Sequence, residues 1–113
     1  MDIKLETTNN QLVTVSIDGD MDALGCRDIK DVVEHILKLE QNNEVVMDLD
    51  KVHFMDSSGI GAIVYLYKRL KEINRAISIH NVSGQPLELM ELLRISSAIP
   101  VHTKHSSTYR ESL

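Results

Sequence analysis

Met55-Asp56-Ser57-Ser58-Gly59-Ile60-Gly61-Ala62 gathers a carboxylate, two adjacent hydroxyls and two glycines into one short run. A serine hydroxyl can attack an acyl or phosphoryl centre, accept a modification, or hydrogen-bond to the start of a helix. Acyl chemistry is disfavoured, because the run lacks the Gly-x-Ser-x-Gly turn that lifts a nucleophilic serine out of its sheet. His53 is near in sequence, but no carboxylate is paired with it by any pattern. No catalytic residue is assigned. As a helix start the run is well made. The Ser57 oxygen is predicted to cap the helix, accepting from the amides of Gly59 or Ile60. Asp56 places negative charge by the positive end of the helix dipole. Gly59 and Gly61 remove side-chain bulk from the first turn, so that a partner's backbone or a neighbouring strand can come close. Spacing alone leaves open whether the loop does more than begin a helix.

Other constellations carry less. Asp18-Gly19-Asp20-Met21-Asp22 begins like a calcium loop, but Ala23 stands where that loop needs glycine and Ile29 where it needs glutamate. The five histidines, His35, His53, His80, His102 and His105, make no His-Glu-x-x-His pattern, and one cysteine makes no zinc framework, so no metal site is assigned. Gly59-x-Gly61 is no dinucleotide fingerprint, since Val64 holds the third glycine position, and a Walker-type Gly-Lys-Ser/Thr is missing. No cofactor is expected. Cys26 falls near the start of a predicted helix, where the dipole can lower a thiol pKa. A small packed residue is the favoured reading.

These groups need elements to hold them. Residues 44–50 read as a buried strand, with Val45, Met47 and Leu49 on one face and Val46 on the other. Residues 60–73 read as a helix with Ile63, Leu66, Leu70 and Ile73 along its apolar stripe. Upstream, Ile3, Leu5 and Thr7 alternate with polar residues, Asn9-Asn10 signals a turn, and Val13, Val15 and Ile17 alternate again, which predicts an antiparallel hairpin closed by Gly19. Asp22 is a predicted N-cap for a helix whose stripe is Ile29, Val32, Val33, Ile36 and Leu37. Asp28, Lys30, Asp31, Glu34 and Lys38 form its solvated face, and Gln41-Asn42-Asn43 ends it. Beyond the second helix, Asn74-Arg75 breaks the pattern, and residues 76–82 form a strand with Ile77 and Ile79 inward. Ser83-Gly84-Gln85-Pro86 opens a third helix, with Leu89, Leu92 and Leu93 as its buried stripe and Met90 beside it. Ile99-Pro100-Val101 fits a short edge strand. His102 and His105 belong to a polar tail from about Thr103, which has room for one more helical turn around Tyr109 and Leu113.

The whole chain of 113 residues reads as one domain, 1–113, long enough to bury about two-thirds of its unfolded surface. A net charge of -5, no tryptophan and no basic run interleaved with aromatics argue against binding to nucleic acid or an anionic membrane. The single Cys26 excludes an internal disulfide framework and fits a reducing cytoplasm. Strand pattern begins at once after Met1, so no signal peptide is expected. No apolar run approaches the roughly 20 residues of a membrane helix. The element order predicts an α/β domain: a mixed sheet with an N-terminal antiparallel hairpin, right-handed βαβ crossovers, and helices packed mainly on one face. The serine run then lies at the carboxyl end of a strand, where such sheets meet ligands and partners.

Phe54-Met55-Asp56-Ser57-Ser58-Gly59-Ile60-Gly61 resembles the signature of the STAS domain, in the branch of bacterial anti-sigma factor antagonists. The likeness in element order covers nearly the whole chain, and this octet is its specific part. The resemblance implies that a partner kinase phosphorylates the first serine after the aspartate, Ser57, with Ser58 the alternative acceptor. It implies a partner-binding loop of Met55, Asp56, Ser58, Gly59, Ile60 and Gly61. The unmodified chain would engage a serine protein kinase that doubles as an anti-sigma factor or similar switch protein. Phosphorylation would end that engagement, and a metal-dependent serine phosphatase would restore it. The kinase brings ATP and magnesium, so the chain itself needs neither cofactor nor catalytic group. Phosphate would add about -1.5 to -2 charges beside Asp56, and the helix N-terminus is expected to stabilise it. The chain departs from the branch at Ser96-Ser97-Ala98, where the antagonists commonly carry a Ser-Gly-Leu-like turn. Two other outputs fit the same domain: control of biofilm, secretion or signalling without a sigma factor, and sensing of a nucleotide or lipid as in a transporter-associated module.

Overall fold

The computed structural model describes residues 1–8, 12–39 and 44–104. Strands β1 (Asp2–Thr8) and β2 (Leu12–Asp18) pair antiparallel, and β3 (Glu44–Lys51), β4 (Ile77–Val82) and β5 (Val101–Thr103) continue parallel to β2. The spatial order is β1-β2-β3-β4-β5. Helix α1 (Ile29–Lys38) joins β2 to β3, α2 (Ser57–Glu72) joins β3 to β4, and α3 (Gly84–Leu92) leads through a 3-10 turn (Ile95–Ser97) to β5. Each crossover steps one strand further in the same direction, so right-handed connections stack the three helices on one face. The α/β class, the mixed sheet and the opening hairpin are as the sequence predicts.

Alternation sets which face is buried. Register pairs Ile3 with Ile17, Val15 with Met47, Val45 with Ile77 and Ile79 with Val101, so the apolar positions line up across the sheet. Val13, Val15, Val45, Met47, Leu49 and Ile79 are buried there against Val33 and Ile36 of α1, Ile63, Leu66 and Leu70 of α2, and Met90 of α3. Burying such side chains contributes about 1.5–3 kcal/mol each relative to exposure. A polar link joins α1 to α2: Arg69 of α2 donates to Glu34 of α1 and, at 2.9 Å, to the Tyr65 hydroxyl of its own helix. Glu34 is therefore half-buried at a helix contact and does not stand on a solvated face.

Several boundaries differ from the sequence expectation. Asp22 does not cap α1, which starts only at Ile29. Its carboxylate accepts from Gly25 N at 2.8 Å and its carbonyl from Cys26 N at 2.9 Å, closing a separate turn before the helix. A Cβ on Gly25 would sit 2.4 Å from the Asp20 carbonyl, so this close turn needs glycine. Ile73 lies past the end of α2 and is 47% exposed. The stripe of α3 is Pro86 and Met90, flanked by half-buried Leu87 and Leu89. Leu92 is two residues past Met90, about 200° round the axis at 3.6 residues per turn, and is 77% exposed. Leu93 follows the helix end and is 49% exposed, while Ile95 and Ile99 fill the core in its place. His102 belongs to β5 and not to a tail, its ring centroid 4.5 Å from that of His80 on β4. The Asn9-Asn10 turn, the Gln41-Asn42-Asn43 stop, His105 and the helical turn around Tyr109 and Leu113 lie outside the described residues.

Candidate functional site

The serine loop is built by backbone bonds on both sides of Met55. After β3, the chain runs extended and Met55 makes an isolated parallel bridge to Met21. Met21 N donates to the Phe54 carbonyl at 3.0 Å, and Asp56 N donates to the Met21 carbonyl at 3.3 Å. From the other side, the Gln85 side chain accepts from Met55 N and donates to the Met55 carbonyl, both at 2.8 Å. The Phe54 carbonyl, the Met55 amide and carbonyl and the Asp56 amide are thereby paired, as backbone leaving a sheet beside a buried side chain requires.

Asp56, not Ser57, caps α2. Asp56 is the last extended residue (φ -118°, ψ -166°), and its carboxylate accepts from Ser58 N at 2.8 Å. The Asp56 carbonyl accepts from Gly59 N at 3.1 Å and Ile60 N at 3.2 Å. A cap must sit at the residue that is still non-helical, and Ser57 is already the first helical one. The amides of Ser58, Gly59 and Ile60 are thus all engaged by Asp56. The first turn does not offer the open set of donors for phosphate that the sequence suggests. Asp56→Ala should cost about 0.5–2 kcal/mol of stability and Asp56→Asn a few tenths at most, read as midpoints of urea unfolding. Equal midpoints for Asp56→Ala and the unaltered chain would remove the cap from the argument.

The expected loop residues separate into an inner and an outer set. Met55 and Gly59 are buried and present no surface of their own. A Cβ on Gly59 would lie 2.6 Å from Met55 Cγ and 2.7 Å from the Met21 carbonyl oxygen. Asp56, Ser58 and Ile60 are half-buried, and Ser57 and Gly61 are exposed. Nothing lies within 4 Å of where a Gly61 Cβ would be. The two glycines therefore do different work: one lets the β2–α1 connection close on the loop, the other leaves the helix surface bare. Beside Ser58, a shallow apolar groove of about 340 Å³ runs between the turn before α1 and the flank of α2, lined by Ala23, Cys26, Ile29, Ala62 and Tyr65. Leu24, 71% exposed, stands on that turn. The sequence reading missed it, because the pattern treats residues 22–28 as the beginning of a helix.

Cys26 is buried, and burial pushes its thiol pKa up, with the Asp56 and Asp22 carboxylates adding to the shift. Desolvation outweighs any lowering by a helix dipole, since Cys26 precedes α1 and is not in its first turn. The thiol is a packed group. Among the described residues, no set of three or more His, Cys, Asp or Glu side chains is placed to hold a metal ion. No helix among them is long and apolar enough to cross a membrane.

The chain and its fold have relatives of known type. A STAS domain family model matches residues 2–108. The chain is 22% identical over 99 residues to the anti-sigma-B factor antagonist of Listeria monocytogenes, covering 88% of this chain and 86% of that one. It is 23% identical over 103 residues to the anti-sigma-B factor antagonist of Staphylococcus aureus, covering 90% and 94%. Among solved structures, the Bacillus cell fate determinant SpoIIAA in its phosphorylated form superposes with a TM-score of 0.69 at 17% identity, over 96% of this chain and 98% of that one.

Proposed function

Because the chain belongs to the STAS domain family, we propose that it is a phosphorylation-controlled binding module of a partner-switching pathway in the cytoplasm. Unmodified, it binds a serine protein kinase that doubles as an anti-sigma-type switch protein. The kinase transfers the γ-phosphoryl group of ATP to Ser57: the Ser57 Oγ–phosphorus bond forms, the bond to ADP breaks, and the hydroxyl proton leaves to a base of the kinase. The phosphorylated chain releases the kinase, and a metal-dependent serine phosphatase resets it. One observation carries this reading. Ser57 is exposed at the first residue of α2, while its neighbour Ser58 is half-buried against a groove. The names of the relatives and the phosphorylated state of SpoIIAA support the partner-switching reading.

The test uses the partner kinase isolated on the immobilised, unmodified chain, followed by ATP, magnesium and mass-spectrometric mapping. Phosphate is expected on Ser57. Phosphate solely on Ser58, or on Ser106 of the tail, sinks the assignment. Ser57→Ala should abolish labelling yet keep partner affinity, and its stability should change by no more than about 0.5 kcal/mol, because Asp56 holds the cap. A folded Ser57→Ala chain that no longer binds would make the hydroxyl a contact and not a switch.

A further inference from the structure

We infer that Gln85 is a positioning residue for phosphoryl transfer to Ser57, an inference that rests on the proposed function. The chain beyond β3 loses its neighbour on the β4 side just where the loop needs one. Strand β4 pairs with β3 only as far as Asp48 and His80, and Asn81 then turns through a left-handed backbone (φ 61°). Among the described residues, Met55 consequently has a backbone neighbour, Met21, on one side only. On the other side the Gln85 carboxamide supplies an acceptor to Met55 N and a donor to the Met55 carbonyl, both at 2.8 Å, as a strand's peptide groups would.

A primary carboxamide offers a donor and an acceptor in one plane at the end of a flexible side chain. Local backbone holds it in place. Gly84 before it takes a left-handed conformation (φ 60°), and Pro86 after it is buried in the core with a fixed φ. Ser57 lies two residues beyond Met55, with Asp56 between them tied to Met21 on one side and to Ser58 on the other. With both Gln85 bonds removed, this short lever has a free edge. The Ser57 hydroxyl then wanders relative to an attacking geometry in which about 1 Å of misplacement costs up to a hundredfold in rate.

Gln85→Met keeps length and deletes both bonds. Gln85→Glu keeps an acceptor for Met55 N and loses the donor. With the kinase captured on the unaltered chain, Gln85→Met should lower kcat for labelling by about tenfold with KM within about twofold, and Gln85→Glu should fall between it and the unaltered chain. Part of the phosphate should move to Ser58, since a loosened loop no longer distinguishes adjacent hydroxyls. In the isolated chains, exchange of the Met55 amide should quicken about tenfold relative to that of Ile79. An unaltered chain that takes no phosphate on Ser57 overturns the proposed function, and this inference with it. If the unaltered chain is labelled and the Gln85→Met chain is labelled on Ser57 at the same kcat, the inference alone is wrong, even where the melting point has dropped. If Gln85→Met does not fold, Gln85→Glu decides by the same two readouts, kcat and the share on Ser58.

Discussion

Gly59→Ala is expected to lower the unfolding free energy by about 1–3 kcal/mol, while Gly61→Ala, two residues along the same helix, raises it by up to about 1 kcal/mol. The glycines look alike in the sequence, and each would gain helix propensity from alanine. What separates them is what the new methyl meets. At Gly59 it lands 2.7 Å from a backbone carbonyl, Met21 O, and 2.8 Å from Met21 Cβ. Met55 Cγ, at 2.6 Å, is a flexible neighbour and can move, but the Met21 carbonyl accepts the Asp56 amide and cannot move without breaking that bond. At Gly61 the methyl meets nothing within 4 Å. Gly59→Val puts two more carbons into the occupied space, so its loss exceeds that of alanine. On a domain stable by about 5–15 kcal/mol, it threatens folding itself. Urea unfolding of the three variants, read by midpoint at constant slope, checks the order. A Gly59→Ala midpoint equal to that of the unaltered chain would show that the β2–α1 connection yields freely. Bound to its partner, the stable Gly61→Ala chain reports the complementary fact: weakened affinity there places the bare patch of α2 inside the interface.

Strands were legible because alternation is a local property. Val13, Val15 and Ile17 point one way in any sheet that buries one face, and the same holds for Val45, Met47 and Leu49. The helix after the serine run was legible from Ile63, Leu66 and Leu70. Misreadings cluster where two residues compete for one local role. Aspartate and serine are comparable caps, so Asp56-Ser57 fixes the helix start only to within a residue. Asp22 and Asp28 both precede apolar residues, and the turn that separates them depends on Gly25 fitting against Asp20, which periodicity does not register. Leu92 and Leu93 are apolar and lie near the helix end, and only the packing of Pro86 and Met90 tells which side faces the sheet. The site was legible as a run of residue types and not as an arrangement. Burial of Met55 and Gly59 follows from the approach of Met21, more than thirty residues upstream, and Ser58 but not Ser57 borders the groove beside the turn before α1. Gln85 had no signal at all, since a glutamine in a first helical turn is ordinary until its distant backbone partner is seen.

Phosphate on Ser57 is expected to weaken partner binding by about a hundred- to several thousandfold without refolding the domain. In the free chain Ser57 is exposed, so the dianion stays hydrated. A helix terminus can return at most about 2 kcal/mol to such a charge, and here the amides of Ser58, Gly59 and Ile60 are already engaged by Asp56. Displacing α2 would expose Ala62, Ile63, Leu66 and Leu70, all buried, at about 25 cal/mol per Å² of apolar surface. The charge gains too little to move the helix. A partner docked flush on Ser57 and Gly61 is in a different position, because it must desolvate a dianion beside the half-buried Asp56 carboxylate. An unpaired buried charge costs about 3–5 kcal/mol, and each 1.4 kcal/mol is tenfold in affinity. Ser57→Asp should weaken binding in the same direction but less, carrying one charge and less bulk. Calorimetric titration of the phosphorylated, Ser57→Asp and unmodified chains against one partner preparation measures the order. Amide shifts between phosphorylated and unmodified chains should concentrate in residues 54–64 and in their contacts, Met21 and Gln85. Shifts of the same size throughout α1 and α3 would mean that the charge acts by rearranging the fold, and loop electrostatics would then not be the switch.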